Sequence, residues 1–199
     1  MKNMKQKVLM MATVALIALP VSLATAASTN LHGKALFRIA LTLSNTDMDF
    51  SKIDYSAAPA VGDTVTLATN NAETFAGGKF SAGTGAAPAA GTVTVTAGTV
   101  GQTVEISCTT TGVLSNAGNT STIGIDNTEV TTGAGGAAGT GTACAGVGVT
   151  PATKVLAGSD VFKFGGRING ATQTGVFSGG AYDTSNAGGT NMIVQVVYQ

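Results

Sequence analysis

Apolar and polar residues alternate in short segments from Phe37 to the C-terminus, and this pattern constrains the fold more than any other feature of the chain. A period of two places successive side chains on opposite faces of a β-strand. Turn-forming residues separate the segments about every ten residues, and no segment after residue 26 has the apolar spacing of an amphipathic helix. The sequence therefore predicts an all-β sandwich. The predicted strands include 37–43, 64–68, 92–96, 103–108, 143–149, 161–168 and 192–198.

The first 26 residues have the three parts of a secretory signal peptide. Lys2, Lys5 and Lys7 precede an apolar run. Ala24-Thr25-Ala26 then supplies the small residues of a cleavage site. We therefore expect an exported protein in the periplasm, at the cell surface or outside the cell, which contacts a membrane only during export. Residues 27–199 are expected to form a single β-sandwich domain.

The charge of the expected mature chain limits its partners. Residues 27–199 carry seven basic and ten acidic residues, which gives a formal net charge of −3. This weakly acidic balance argues against nucleic acid as a partner. Charged residues make up 10% of the whole chain, against about 25% in an average soluble protein. Such a surface resists self-association poorly, so it suits either an assembling protein or an extracellular domain that is merely poor in charge.

Cys108 and Cys144 are the only cysteines. An even count in an exported chain predicts one structural disulfide. A metal or redox pair is the alternative. The chain has no C-x-x-C motif, however, and its single histidine, His32, lies near the predicted mature N-terminus.

The known motifs for catalysis or cofactor binding do not match. The glycine-rich segment 133–141 lacks phosphate-loop spacing and is predicted to be a flexible loop. The acidic residues from Asp47 to Asp54 lack the spacing of a calcium loop. No G-x-S-x-G occurs, although a carboxylate pair brought together by the fold stays open. We expect a protein that is not an enzyme, with no catalytic residue, no cofactor and no metal.

The C-terminal segment 192–199 is apolar on one face and mostly apolar on the other, where Gln195 lies between Ile193 and Val197. This pattern is typical of a central strand or of a strand that pairs with another chain. The first predicted strand, 37–43, raises a similar question, since it is either internal or donated to a neighbour. The candidate residues for strand addition are therefore Phe37, Ile39, Leu41, Leu43, Val194, Val196 and Tyr198.

Both ends of the expected mature chain carry a resemblance to a known family. The early part reads Ala35–Leu43 followed by Met48–Ile53, and the late part has Phe164–Ile168, Gly175–Gly179 and Val194–Tyr198. These segments resemble the bacterial secreted family of domain of unknown function 4402, which is similar to chaperone–usher pilins and spore-coat-U-like proteins. The resemblance implies an immunoglobulin-like or pilin-like sandwich, surface assembly and a periplasmic chaperone as a further partner.

Together these observations predict a structural subunit of a surface coat or pilus-like assembly. It would associate with itself or with other surface subunits by β-strand addition. The alternative is a monomeric surface or periplasmic binding module, with glycans as the candidate ligands. That alternative lacks an evident aromatic platform, because the chain has no Trp and three Tyr.

Overall fold

A computed structural model describes residues 38–199, and these residues form fourteen β-strands. The predicted signal peptide with its cleavage site, His32 and Phe37 lie outside the described residues. Within the described part, no helix is long and apolar enough to cross a membrane. The strands are β1 (Thr42–Thr46), β2 (Ile53–Tyr55), β3 (Thr64–Leu67), β4 (Glu73–Ala76), β5 (Phe80–Ala82), β6 (Gly91–Ala97), β7 (Thr103–Cys108), β8 (Gly112–Asn116), β9 (Thr122–Thr132), β10 (Thr142–Ala143), β11 (Ala152–Val155), β12 (Asp160–Thr174), β13 (Tyr182–Asp183) and β14 (Val194–Tyr198).

A large sheet and a small sheet face each other. The large sheet has the order β1-β6-β12-β9-β8-β13, with β3 and β4 beside the second half of β12 and β10 beside β9. The small sheet has the order β11-β7-β14, and β2 and β5 form a separate pair. Every pairing is antiparallel. The all-β sandwich predicted from the alternation is confirmed.

Two apolar cores follow from the alternation along the strands. In β6, Val93 and Val95 are buried while Thr92 and Thr94 point to the other face and are half-buried. The first core fills the space between the two sheets. The second lies between the large sheet and the β2–β5 pair. The first contains Val93, Val95, Val104, Ile106, Cys108, Val130, Cys144, Leu156, Phe162, Phe164 and Val196. The second contains Phe50, Val65, Leu67, Phe80, Ile123, Ile125 and Ile168.

The predicted disulfide is present between Cys108 and Cys144. Cys108 is the last residue of β7, and Cys144 follows the two-residue strand β10. The prediction of one strand over 143–149 is wrong, because β10 ends at Ala143, Gly146 forms only an isolated bridge with Cys108, and residues 147–149 form a turn. The disulfide therefore ties the central strand of the small sheet to the end of a short edge strand of the large one.

The glycine-rich segment 133–141 is a loop, as predicted, and hydrogen bonds attach it to the domain. The buried carboxylate of Glu129 accepts hydrogen bonds from the backbone N–H groups of Gly139 and Gly141, each at 3.0 Å. Thr69 Oγ1 accepts a hydrogen bond from Gly136 N and donates one to Gly136 O. A Cβ at Gly135 would overlap the carbonyl of Thr69, so this close approach requires glycine.

Candidate functional site

A cleft of about 270 Å³ opens between the large and small sheets, on the side where β1 and β14 form their edges. Phe164 lines the cleft, and so does the Cys108–Cys144 disulfide. Met48 and Met192 lie at one end, which we call the lower end. The lining residues are Leu43–Met48, Gly91–Val93, Cys108, Thr109, Thr128, Cys144, Phe164, Gly165, Met192 and Val194.

The cleft exists because the large sheet extends one strand further than the small sheet. On β1, Leu43 is paired with the buried Val95, so the two side chains share the inward face of the sheet. Leu43 is nevertheless 41% exposed, whereas Val95 is fully buried. Among the described residues no strand lies beside β14 to cover β1. Within residues 38–199 the small sheet therefore leaves a position open for one more strand beside β14.

The edge of β14 that borders this position has free backbone groups. Thr109 N donates to Ile193 O, and Gln199 N donates to Thr103 O, each at 3.0 Å. Since hydrogen bonds alternate along an antiparallel pair, the odd-numbered residues 193–199 face β7. The backbone N–H and C=O groups of Val194, Val196 and Tyr198 therefore point to the open edge, and their side chains point toward the first core.

The upper end of the cleft is closed by the chain between Arg38 and Leu41. Tyr198 Oη accepts a hydrogen bond from Thr99 N at 2.6 Å and donates one to Ile39 O at 2.7 Å. The guanidinium of Arg38 donates to Gln199 O and lies 5.1 Å from the centre of the Tyr198 ring. Leu41 packs against the first core. This stretch crosses from the end of β14 to the start of β1.

The first predicted strand is displaced along the chain. It begins at Thr42, five residues later than predicted, and continues to Thr46. Residues 38–41 form no ladder because Ile39 bonds instead to side chains, with its N–H donating to Thr99 Oγ1 at 2.7 Å. The common buried face predicted for 37–43 is wrong for the described part, since Ile39 is 60% exposed and Leu41 is half-buried.

The structure brings the remaining candidates for strand addition to one place. Leu43 and Val194 line the cleft, Val196 is buried behind it, and Tyr198 closes its upper end. Sequence analysis did not assign Met48, Met192 or Phe164 to this site. Phe164 and Met192 lie in predicted strands, and Met48 lies in a segment of the family resemblance, but nothing in these local patterns indicates that the three side chains meet.

The two ends of the cleft differ in charge. Asp47 lies on the lower rim, and Arg38 lies at the upper end. Glu73 does not line the cleft. Its pKa is raised above its ordinary value, first by burial and then by the negative charge of Asp49. Residues 38–199 contain no group of three or more His, Cys, Asp or Glu side chains placed to hold a metal ion. The cleft thus offers apolar walls and free backbone groups.

A separate polar cluster lies on the opposite face of the large sheet. Arg167 contacts both carboxylate oxygens of Asp126, with Nε–Oδ1 at 2.7 Å and Nη2–Oδ2 at 3.0 Å. Asn169 Nδ2 also donates to Asp126 Oδ2, at 2.7 Å. Burial alone would raise the pKa of Asp126, but the hydrogen bonds from Arg167 and Asn169 and the charge of Arg167 lower it overall. The cluster joins β9 to β12.

We expect Asp126→Asn to lower the free energy of unfolding by about 1–2 kcal/mol at pH 7. A carboxyl group with a lowered pKa in the folded state stabilises fully above its unfolded pKa, and this contribution is lost as the pH falls through the folded value. The difference between variant and wild type should therefore shrink as the pH falls below the ordinary Asp pKa of about 3.9, and it should vanish only below the lowered pKa of the folded state. Urea titrations at several pH values measure it. Asp54→Asn, at an exposed carboxylate on β2, is the control, and an equal, pH-independent loss in both variants would contradict the assignment.

A comparison with known protein families covers most of the described domain. A family described as "Domain of unknown function (DUF4402)" matches residues 41–187, well over half of the chain. The chain belongs to this family. No curated protein and no solved structure matches it. The DUF4402 match begins just before β1 and ends between β13 and β14, so it includes one edge of the cleft and excludes the other.

Proposed function

We propose that this DUF4402 protein is an exported structural subunit of a surface coat or pilus-like assembly, and that subunits associate by β-strand addition at the open edge of β14. The observation that carries the proposal is the strand position between β14 and the inward face of β1, which none of the described residues fills. Backbone groups at a free edge can extend the sheet, and an apolar cleft beneath it can bury alternate side chains of the added strand.

The composition of β14 supports this proposal. A strand that is apolar on both faces is expected at the centre of a sheet, or between two chains. Among the described residues β14 is an edge strand, with its only partner β7 on one side. No charged residue or proline occurs from Met192 to Gln199, so β14 itself carries neither of these two protections against pairing.

The shape of the site favours an isolated strand over the edge of another complete domain. Val95 of β6 and Val196 of β14 belong to the same core, and β1 lies beyond β6 under the empty position. A copy related by a two-fold axis and paired through its own β14 would bring its own β1 into the space of β6. An extended segment that projects from a neighbouring subunit avoids this collision.

The alternative function, a monomeric binding module, has less support. The cleft is smaller than the roughly 300–1,000 Å³ of typical small-molecule pockets. The aromatic side chains of Tyr55, Phe177 and Tyr182 pack on one another, with ring centres 5.0 and 5.3 Å apart, next to the second core. Most of their ring surface is therefore used within the domain rather than offered to a glycan.

We expect Val194→Pro to prevent assembly while leaving the domain folded. The N–H of Val194 points to the open edge, so proline removes a donor that an added strand needs and that β7 does not use. Negative-stain microscopy and size-exclusion chromatography of surface-sheared material measure assembly. Thermal denaturation of the exported protein measures folding.

Gln195→Pro is the matched control for this experiment. Its N–H faces β7, so the same substitution one residue along should cost about 1–3 kcal/mol more stability than Val194→Pro. Filaments or stable oligomers formed by Val194→Pro as readily as by wild type would overturn strand addition at β14. A wild-type protein that stays monomeric on the cell surface would overturn assembly altogether.

A further inference from the structure

We infer that the strand added beside β14 belongs to another polypeptide chain and carries one large apolar anchor side chain, which fills the cleft beside Met48 and Met192. This inference rests on the proposed strand addition and goes further, because it states the chemistry of the partner segment. The other inward positions of the added strand need only small or medium side chains.

The cleft is deeper at one end of β14 than at the other, so it has room for one large anchor side chain. Along β14 and the residues just before it, Met192 and Val194 line the cleft, whereas Val196 and Tyr198 toward the upper end do not. At the upper end the space is full, since a Cβ at Gly98 would lie 2.8 Å from Leu156 Cδ1 and 3.1 Å from Leu41 Cδ2. A large side chain therefore has room only near the lower end.

The volume of the cleft suits one such side chain with part of its backbone. A cavity of about 150 Å³ holds a benzene molecule, and this cleft has about 270 Å³. Leucine, methionine or phenylalanine would fill the deeper part. Serine or alanine at the same position would leave the apolar wall uncovered, which forfeits most of the gain from burial.

The walls of the cleft explain why the anchor is apolar. Met48 and Met192 have flexible, polarisable side chains, and Phe164 adds an aromatic surface to the same cleft. Methionine side chains adapt to different shapes, so several large apolar anchors should bind similarly. A carboxylate or ammonium group would lose its hydration against these walls without gaining a partner.

The negative charge of Asp47 on the lower rim adds a preference for a basic residue in the added strand. Asp47 lines the cleft at the end where the added strand leaves the anchor position. A lysine or arginine next to the anchor would lie close to this carboxylate, whereas an aspartate there would be repelled. The preferred partner is thus an extended, otherwise uncharged segment with a large apolar anchor and a neighbouring basic residue.

Peptide binding to the exported, disulfide-bonded protein tests this inference. Fluorescence polarisation would compare labelled ten-residue peptides of alternating Val and Thr that differ only at one inward position, with Leu, Phe, Ser or Asp there. We expect the Leu and Phe peptides to bind at least tenfold more tightly than the Ser peptide, and the Asp peptide to bind weakest. Exchanging a neighbouring Lys for Asp should weaken the Leu peptide severalfold.

Two protein variants locate the anchor. Met192→Trp should fill the cleft and reduce affinity for the Leu peptide at least tenfold. Ile193→Trp, at the next residue, which is 54% exposed on the other face, should leave it unchanged. Equal binding of all four peptides would overturn the single anchor and leave strand addition intact. Binding of none of them would overturn strand addition itself.

Discussion

Phe162→Ala lowers the free energy of unfolding by about 3–5 kcal/mol, the largest effect expected of any single substitution in the described domain. Phe162 is fully buried and lies on β12, between Val93 of β6 and Thr132 of β9. Removing its ring leaves a cavity in the first core, where the backbones of three paired strands limit collapse. For a domain of this size we expect the melting temperature to fall by about 10 °C, measured by circular dichroism.

Val161→Ala is the control for the Phe162 substitution. Val161 precedes Phe162 on the same strand, but its side chain points to the outer face and is 37% exposed. Because its side chain lies outside the core and more than a third of its surface is exposed, the change should cost no more than about 1 kcal/mol. Similar losses from both variants would mean that the alternation along β12 does not decide which face is buried.

The sequence predicted most reliably those strands that bury one face. Val93 and Val95 of β6, and Val104 and Ile106 of β7, alternate with Thr, Glu and Ser, and all four are buried. Here local alternation and burial agree, because each strand has one face on the first core. The even cysteine count predicted the disulfide by the same kind of local evidence.

Short strands and loop contacts could not be predicted from local pattern. β8 contains Gly112 and Asn116, which are poor strand formers, and it forms because β9 pairs along it. The glycine-rich segment 133–141 is attached by Thr69, far from it in sequence. Such contacts depend on which distant segments meet, and the composition of the segment itself carries no sign of them.

The cleft was predictable only in part. The apolar character of both faces of the last strand left a central position and pairing with another chain as alternatives. Which one applies depends on sheet order, and sheet order depends on long-range pairing. Among the described residues, β14 lies at the edge of the small sheet and β1 at the edge of the large one. The first and last predicted strands, which the sequence showed separately, therefore border a single site.

Removing the disulfide should lower the free energy of unfolding by about 2–4 kcal/mol. Cys108 and Cys144 are separated by 36 residues, and the bond limits the freedom of that loop in the unfolded chain. Both residues are buried in the first core, so the thiols of the reduced protein would also lose part of their packing. Urea denaturation of the oxidised protein and of a Cys108→Ala/Cys144→Ala double variant measures the difference.

The disulfide also forms part of the cleft, so its loss should affect strand addition beyond its effect on stability. Cys108 and Cys144 both line the cleft, and Cys144 N bonds to Thr128 O beside it. We expect the folded double variant to bind the Leu-anchored peptide severalfold more weakly than the oxidised protein. A control with matched loss of stability is Ile123→Ala, because Ile123 belongs to the second core and does not line the cleft. If both variants lost peptide affinity equally, the disulfide would act through global stability alone, and unchanged unfolding on reduction would contradict its structural role.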